Sequence, residues 1–160
     1  MSYSAHVKQQ SRLEGQAEEF VSAYLTGLKA TGVVRGVEWV SDTNAVAPYG
    51  FLATLVNGQE VALDVKSTAG EFERPLHISA NELAEMAGQT RRYDIFRVFG
   101  IVKNRARLRI AEDVGGFGAF VRQHLTGLPE GVQVDSVSVE PVTLPFGRQV
   151  RLTIPDDEES

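Results

Sequence analysis

The alternation of apolar and polar residues divides the chain into one early helix followed by short strands. Apolar residues recur at helical spacing from about Ser11 to Lys29, which predicts an amphipathic helix ending at Gly32. The next apolar segment, Val33–Val40, predicts a strand that is broken or bulged at Gly36. The chain therefore begins with a helix that has one face to bury against a sheet.

A β-hairpin follows this strand. Two apolar segments, Phe51–Val56 and Gln59–Lys66, flank Asn57-Gly58, which is a preferred sequence for a two-residue hairpin turn. Pairing Val56 with Gln59 across such a turn sets Phe51 opposite Asp64. The start of one strand is thus expected beside the end of the other.

The remaining segments complete an α/β pattern. Ser79-Ala80-Asn81-Glu82 has the spacing of a helix capping box. The later predicted segments are Leu76–Ile78 (extended), Ser79–Ala87 (helix), Tyr93–Val102 with Ala106–Ile110 (hairpin), Val114–Leu125 (helix), and Val132–Val139 with Gln149–Ile154 (strands). We expect a single domain over residues 1–155 with a central mixed β-sheet flanked by helices, and an acidic tail at 156–160.

Composition restricts the class of protein. A chain of 160 residues, 42% hydrophobic and 23% charged, fits one globular domain. The absence of cysteine excludes disulfides and thiolate zinc sites, and it agrees with the cytoplasmic location that we expect. A formal charge of −5 argues against a protein that coats nucleic acid regardless of sequence, so any nucleic-acid surface must be local.

Asp64-Val65-Lys66, at the end of the second hairpin strand, is the segment with the most chemical content. Alternation along a strand puts Asp64 and Lys66 on one face and Val65 on the other. An acid and a lysine so placed can share one site, in which the acid holds a divalent cation and the ammonium orients a water beside a scissile phosphate. That is nuclease chemistry, although an acid-x-Lys triplet also occurs often by chance.

Two acids border the apolar face of the first helix. At 100° per residue, Glu14 and Glu18 fall at the edge of the apolar stripe, whereas Glu19 points away from it. Such residues usually form a solvated helix shoulder. The functional alternative is that one of them approaches the Asp64 site from the helix.

Several segments in order resemble the C-terminal domain of the plant protein NO VEIN, which is itself similar to the PD-(D/E)XK restriction-endonuclease-like fold. The segments that carry the resemblance are Trp39-Val40-Ser41, Pro48-Tyr49-Gly50-Phe51, Asp64-Val65-Lys66-Ser67-Thr68, Ile78-Ser79-Ala80-Asn81-Glu82-Leu83 and Tyr93-Asp94-Ile95-Phe96-Arg97-Val98. The likeness covers roughly Leu13 to Asp113. It implies a restriction-endonuclease-like core, but function has to be argued at the site.

The resemblance also implies roles for individual residues. The first-helix acid of the family falls on Glu18, and its acid-x-Lys falls on Asp64 and Lys66, which makes these three the candidate catalytic residues. Where the family usually has Pro-Tyr-Asp, this chain has Gly50, which provides no metal ligand. Asp64 and Glu18 remain to hold Mg²⁺ in what would be a weak site. Asp42 is an upstream acid that could substitute for the missing aspartate.

A dense basic cluster occurs at Lys103, Arg105, Arg107 and Arg109. These alternate residues would share one face of a strand. They could form a solvated hairpin edge, where lysine and arginine discourage edge pairing. They could equally form a nucleic-acid-binding strip that contacts phosphates beside the cleft.

The leading hypothesis is a nuclease-like, nucleic-acid-associated domain that is degenerate at Gly50, with DNA favoured over RNA as its partner. If active, it would be a Mg²⁺-dependent phosphodiester hydrolase. The alternative is a non-catalytic module on the same fold that binds DNA or a protein partner, alone or within a larger host protein. Metal binding separates these hypotheses.

Overall fold

The computed structural model describes the backbone of residues 3–155 and the side chains of residues 12–155, so the acidic tail expected at 156–160 lies outside the described residues. Three helices and eight strands alternate along the described chain. In order they are α1 Tyr3–Ala30, β1 Val34–Trp39, β2 Phe51–Leu55, β3 Glu60–Ser67, β4 Leu76–Ser79, α2 Ala80–Gly88, β5 Arg92–Val102, β6 Arg105–Ala111, α3 Gly115–His124, β7 Ser136–Val139 and β8 Val150–Thr153. Short 3₁₀ turns follow β1 and β7.

Six strands form the central sheet in the order β1-β2-β3-β5-β6-β8. β3 and β5 are parallel, and the other neighbours are antiparallel. The connection from β3 to β5 is made by a loop at 68–75, β4 and α2, as parallel neighbours require a crossover. The predicted mixed α/β architecture with flanking helices is confirmed. The bulge expected near Gly36 is also present, because the register of β1 and β2 shifts between Val34 and Gly36.

The Asn57-Gly58 hairpin is confirmed, but its register differs from the prediction by one residue. The loop contains three residues, with the Gly58 N–H donating to the Leu55 carbonyl at 2.9 Å and Gly58 at a φ of +90°. A turn followed by a positive-φ glycine is the usual three-residue hairpin loop. Phe51 consequently lies opposite Leu63 and not Asp64.

The helices cover the two faces of the sheet with separate cores. Ala17, Phe20, Val21 and Leu25 of α1 pack on one face against residues such as Phe51 and Val98. On the other face, Leu83 and Met86 of α2 and Val114 before α3 pack against Ile95. Each core uses alternate residues of the same strands, for example Leu63 in one core and Ala62 in the other.

The start of α1 and the pairing of β7 differ most from the sequence prediction. α1 begins at Tyr3 and not near Ser11, and the residues before Leu13 lack the apolar stripe from which a helix start can be located. Of the late strands, β7 pairs with β4 in a separate two-stranded sheet and only β8 joins the central sheet. Within the part of the chain that the structure describes, no helix has the length and apolar character needed to cross a membrane.

Candidate functional site

A cleft of about 1040 Å³ lies where the end of β3 meets α1, α2 and the loop before β2. It brings together Glu18, Gly50, Asp64 and Lys66, which the sequence assigned to one site. It also contains Glu82 and Arg97, which the sequence did not assign to it. The cleft therefore gathers charged side chains from segments that are distant in the sequence.

Lys66 is the centre of an ion-pair network in this cleft. Strand alternation puts Asp64 and Lys66 on the same face of β3, and Lys66 Nζ lies 2.9 Å from Asp64 Oδ2. Lys66 Nζ also donates to Glu82 Oε1 at 2.8 Å. The Asp64 contact has the distance of an ion pair without the geometry of a hydrogen bond, so Asp64 Oδ2 has no hydrogen-bond partner among the described atoms. One ammonium thus compensates two carboxylates.

Glu82 reaches this network because of the helix cap. Ser79 caps α2, its hydroxyl accepting from the Glu82 N–H at 3.1 Å, while Glu82 Oε1 accepts from the Ser79 N–H at 2.9 Å. The predicted capping box is confirmed. The same carboxylate oxygen accepts from Lys66, and this second role depends on the crossover that lays α2 beside β3. A local sequence pattern carries no signal for it.

Burial and neighbouring charges shift the pKa values of this network in different directions. Burial raises the pKa of Asp64 to about 7, in spite of the opposing charge of Lys66. Burial alone would lower the pKa of Lys66, but the charges of Asp64 and Glu82 outweigh it and the pKa is raised. Burial would raise the pKa of Glu82, yet the charge of Lys66 and its hydrogen bond outweigh it and the pKa is lowered. Glu82 is therefore the stronger anion and Asp64 the acid that more easily holds a proton.

Glu18 enters the cleft from α1 and is held in place by two donors. Its Oε1 accepts from Trp39 Nε1 at 3.0 Å and from Ser41 Oγ at 2.8 Å. Trp39 is itself fixed by stacking on Phe51, with ring centroids 5.3 Å apart. Glu18 is partly buried and Glu19 is exposed, as the helix stripe indicated.

Gly50 lies directly beside these acids. Continuing the observed register by one residue sets it opposite Asp64, and its N–H donates to the Leu63 carbonyl at 2.9 Å. A Cβ at this position would lie 3.6 Å from Ser41 Oγ and 3.7 Å from Glu18 Oε2, which are ordinary contacts. A side chain would fit here, so the glycine is not required by the packing. Asp42, the suggested substitute acid, is exposed and does not line the cleft.

The residues of the cleft do not fit a metal ion. Between residues 12 and 155 there is no group of three or more His, Asp or Glu side chains arranged to hold one. Asp64 is paired with Lys66, one Glu18 oxygen is occupied by Trp39 and Ser41, and position 50 has no side chain. Two carboxylates with these commitments are a poor cation site.

Three cations lie side by side across the sheet. Lys66 on β3 is the register partner of Arg97 on β5, and Arg97 is the partner of Arg109 on β6. Register partners in neighbouring strands project to the same face. Arg97 is 2% exposed and lines the cleft. Its Nη1 donates to the Ser67 carbonyl at 3.4 Å and its Nη2 to the Arg74 carbonyl, whereas Nε has no partner among the described atoms. Burial lowers its pKa to about 10.

The predicted basic strip lies outside the cleft. Arg105, Arg107 and Arg109 alternate along β6, but Lys103 occupies the preceding turn at a φ of +55° and is not part of the strand face. The Arg107 guanidinium lies over Phe99 at 4.9 Å. Arg109 lies over Phe72 at 4.2 Å and donates to the Gly147 and Phe146 carbonyls. The expectation that the four residues share one strand face is wrong for Lys103.

Arg97 lines the cleft, but the sequence pattern gave no indication that it belongs to the site. It was part of the segment that carries the family resemblance, but nothing in its spacing distinguishes it from a solvated arginine. Its burial follows from the loop at 68–75, whose Arg74 carbonyl reaches over β5. Only the tertiary structure brings these elements together.

Comparison with known protein families gave a match. The model of the family described as Protein NO VEIN, C-terminal, matches residues 17–111, more than half of the chain. No curated protein and no solved structure gave a significant match.

Proposed function

Because the chain belongs to the family of Protein NO VEIN, C-terminal, we propose that it is a nuclease-like domain of the PD-(D/E)XK type, associated with nucleic acid, whose catalytic cation site is weakened or lost. The observation that carries the proposal is the cleft in which Glu18, Asp64 and Lys66 meet beside a glycine. Magnesium would be the cation of an intact site of this type.

Three features support the nuclease-like part of the proposal. The acid-x-Lys stands at the end of a strand that has a parallel neighbour, and the ends of such strands are common ligand sites. The second acid, Glu18, comes from the helix that covers the sheet, as the family resemblance implies. Glu18 is oriented by Trp39 and Ser41, and oriented carboxylates in a cleft are typical of functional sites.

Two features support the loss of the cation site. Position 50 has room for a carboxylate and holds glycine. Lys66, which in an active enzyme of this type would orient water beside the scissile phosphate, is bound on both sides by Asp64 and Glu82. An ammonium in this position neutralises the acids that a divalent cation would otherwise neutralise. The domain is therefore proposed to bind its ligand and to cleave it poorly or not at all.

DNA is the proposed ligand in preference to RNA, since restriction endonucleases act on DNA. The test of binding is fluorescence anisotropy of a labelled DNA duplex at low salt. Measurable affinity that falls with added salt supports a phosphate-contacting domain. No affinity for DNA or RNA would remove the nucleic-acid proposal and favour a protein-interaction module on the same fold.

The test of degeneracy is nicking of supercoiled DNA with Mn²⁺. We expect no nicking by the wild-type protein or by Gly50→Ala, and nicking by Gly50→Asp that Lys66→Ala abolishes in the same background. Nicking by the wild-type protein that Asp64→Ala stops would show that the site is intact. Another acid of the cleft would then have to replace the missing carboxylate, and Glu14→Ala is the first variant to examine, because Glu14 lines the cleft and Asp42 does not.

A further inference from the structure

Arg97 is a buried cation without a counter-charge in the described chain. Two charged residues are buried there, Asp94 at 4% exposure and Arg97 at 2%. Asp94 is paired with Arg92, whose Nε and Nη2 donate to the two carboxylate oxygens of Asp94, each at 3.0 Å. None of the ion pairs between residues 12 and 155 involves Arg97. The two buried charges are thus compensated differently by the fold.

An unpaired buried charge is destabilising. Removing an ion from water costs several kcal/mol even after the protein relaxes, unless a partner compensates it. Arg97 uses two of the roughly five N–H groups of a guanidinium on neutral carbonyl oxygens, and one of these contacts is long, at 3.4 Å to Ser67. Its lowered pKa agrees with this incomplete compensation. A bound anion would supply the missing charge.

The surroundings of Arg97 indicate the class of anion. Ser67 and Thr68 line the same cleft, as do the cationic residues Arg12 and Arg74. The Thr68 hydroxyl oxygen already accepts from the Gly70 N–H at 3.0 Å, so its own proton is available to a ligand. A phosphate group offers more acceptor oxygens to such a set of donors than a carboxylate does, and the planar guanidinium matches phosphate oxygens in pairs.

We propose that Arg97 is the anion-binding residue of the cleft and that its guanidinium takes one phosphate group on Nη1, in place of the long contact with the Ser67 carbonyl. The carboxylates of Asp64 and Glu82 are already paired with Lys66, whereas Arg97 has no carboxylate partner among the described residues and is left to attract the ligand. Arg97 is proposed to bind a phosphate group on any molecule, whether or not that molecule is a nucleic acid.

The direct test is an NMR titration of the full chain with inorganic phosphate, following the arginine Nε–H signals, with Arg97→Lys used to assign the Arg97 signal. We expect this signal to shift and saturate. Arg97→Met should weaken phosphate binding, measured by calorimetry, by at least roughly tenfold, as expected for the loss of a charge-assisted hydrogen bond.

Arg35→Met is the control. Arg35 is an exposed arginine on β1 that does not line the cleft, so its loss should leave phosphate affinity unchanged. An Arg97 Nε–H signal whose chemical shift does not change at saturating phosphate would overturn the inference. If Arg97→Met does not fold, the wild-type titration and Arg97→Lys still decide the question.

Two further probes identify the source of the phosphate and separate this inference from the proposed function. An oligodeoxynucleotide without terminal phosphates offers only internal phosphodiesters, and a 5′-phosphorylated one adds a terminal group. If both oligonucleotides bind and Arg97→Met weakens their binding, the result supports both Arg97 as a phosphate site and the nucleic-acid proposal. Binding of inorganic phosphate with no oligonucleotide binding supports Arg97 as an anion site and counts against the nucleic-acid proposal.

Discussion

Lys66 and Arg97 are neighbours in register on β3 and β5, project to the same face and line the same cleft, yet they are compensated in opposite ways. Lys66 lies within 2.9 Å of two carboxylates. Arg97 has two carbonyl contacts and no carboxylate in the described chain. Arg109, next in the row, is satisfied outside the cleft by two carbonyls and the ring of Phe72.

This difference divides the cleft into an acid side, formed by Asp64, Lys66 and Glu82, and an arginine side, formed by Arg97 with Ser67 and Thr68. On the acid side, the Lys66 ammonium lies where a divalent cation would have to neutralise Asp64, so Asp64 and Glu82 already have a counter-charge without a ligand. On the arginine side, the buried guanidinium of Arg97 has no counter-charge among the described residues unless an anion binds. The pairing of these charges therefore predicts that an anion binds beside Arg97 more readily than a cation binds beside Asp64.

The largest effect is expected from removing Lys66. Lys66→Met leaves Asp64 and Glu82 partly buried, at 14% and 15% exposure, without their shared cation. We expect the free energy of unfolding at pH 7 to fall by about 3 kcal/mol, measured by urea denaturation. Lys103→Met, the same change in an exposed turn, should cost less than about 0.5 kcal/mol. Equal, small losses of unfolding free energy in both variants would show that Lys66 does not stabilise the carboxylates of Asp64 and Glu82.

The pH dependence of stability should report the raised pKa of Asp64. Between its ordinary pKa of 3.8 and about 7, Asp64 holds a proton in the folded state but not in the unfolded state, so its contribution to stability falls as pH rises. Glu82 has a pKa lowered from its ordinary value of 4.5 and Lys66 one raised from 10.5, so neither group titrates mainly between pH 5 and pH 7.5. Asp64→Asn should therefore gain stability relative to wild type between pH 5 and pH 7.5, by on the order of 2–3 kcal/mol.

This difference is measured by urea denaturation of both proteins at several pH values. Asp42→Asn makes the same substitution at an exposed acid outside the cleft and should show no such trend. A constant difference between Asp64→Asn and wild type across this pH range would mean that Asp64 is ionised throughout.

The smallest effect is expected from the strip on β6. Replacing Arg105, Arg107 and Arg109 with alanine should weaken DNA binding and reduce the salt slope by up to about 0.9 for each phosphate that the strip no longer neutralises. Anisotropy at several salt concentrations measures both. Arg35→Ala, on β1 at the other edge of the sheet, is the control. An unchanged slope for the strip variant would confine the phosphate-binding residues to the cleft.

The sequence was sufficient for features that local chemistry determines. Helical spacing located the buried face of α1 and distinguished Glu18 from Glu19, the capping box located the start of α2, and alternation put Asp64 and Lys66 on one face. The hairpin register was missed by one residue, because both two-residue and three-residue loops accept a glycine after asparagine and the choice depends on backbone angles.

The charge balance of the cleft could not be read from the sequence, because it depends on contacts between distant segments. Glu82 is 16 residues from Lys66, and Ser67 is 30 residues from Arg97. The crossover and the loop at 68–75 bring these residues together. A local pattern contains the residue types but not the partner that each charge will have.

The measurement that tests the central claim most directly is a Mn²⁺ titration of the wild-type protein, Gly50→Asp and Gly50→Ala, following free Mn²⁺ by electron paramagnetic resonance. Because a side chain at position 50 meets only ordinary contacts, the variants should fold. We expect no saturable binding by the wild type or Gly50→Ala, and saturable binding by Gly50→Asp. Wild-type protein that binds Mn²⁺ as tightly as Gly50→Asp would contradict the account, since the acid side of the cleft would then hold a cation in spite of Gly50 and Lys66.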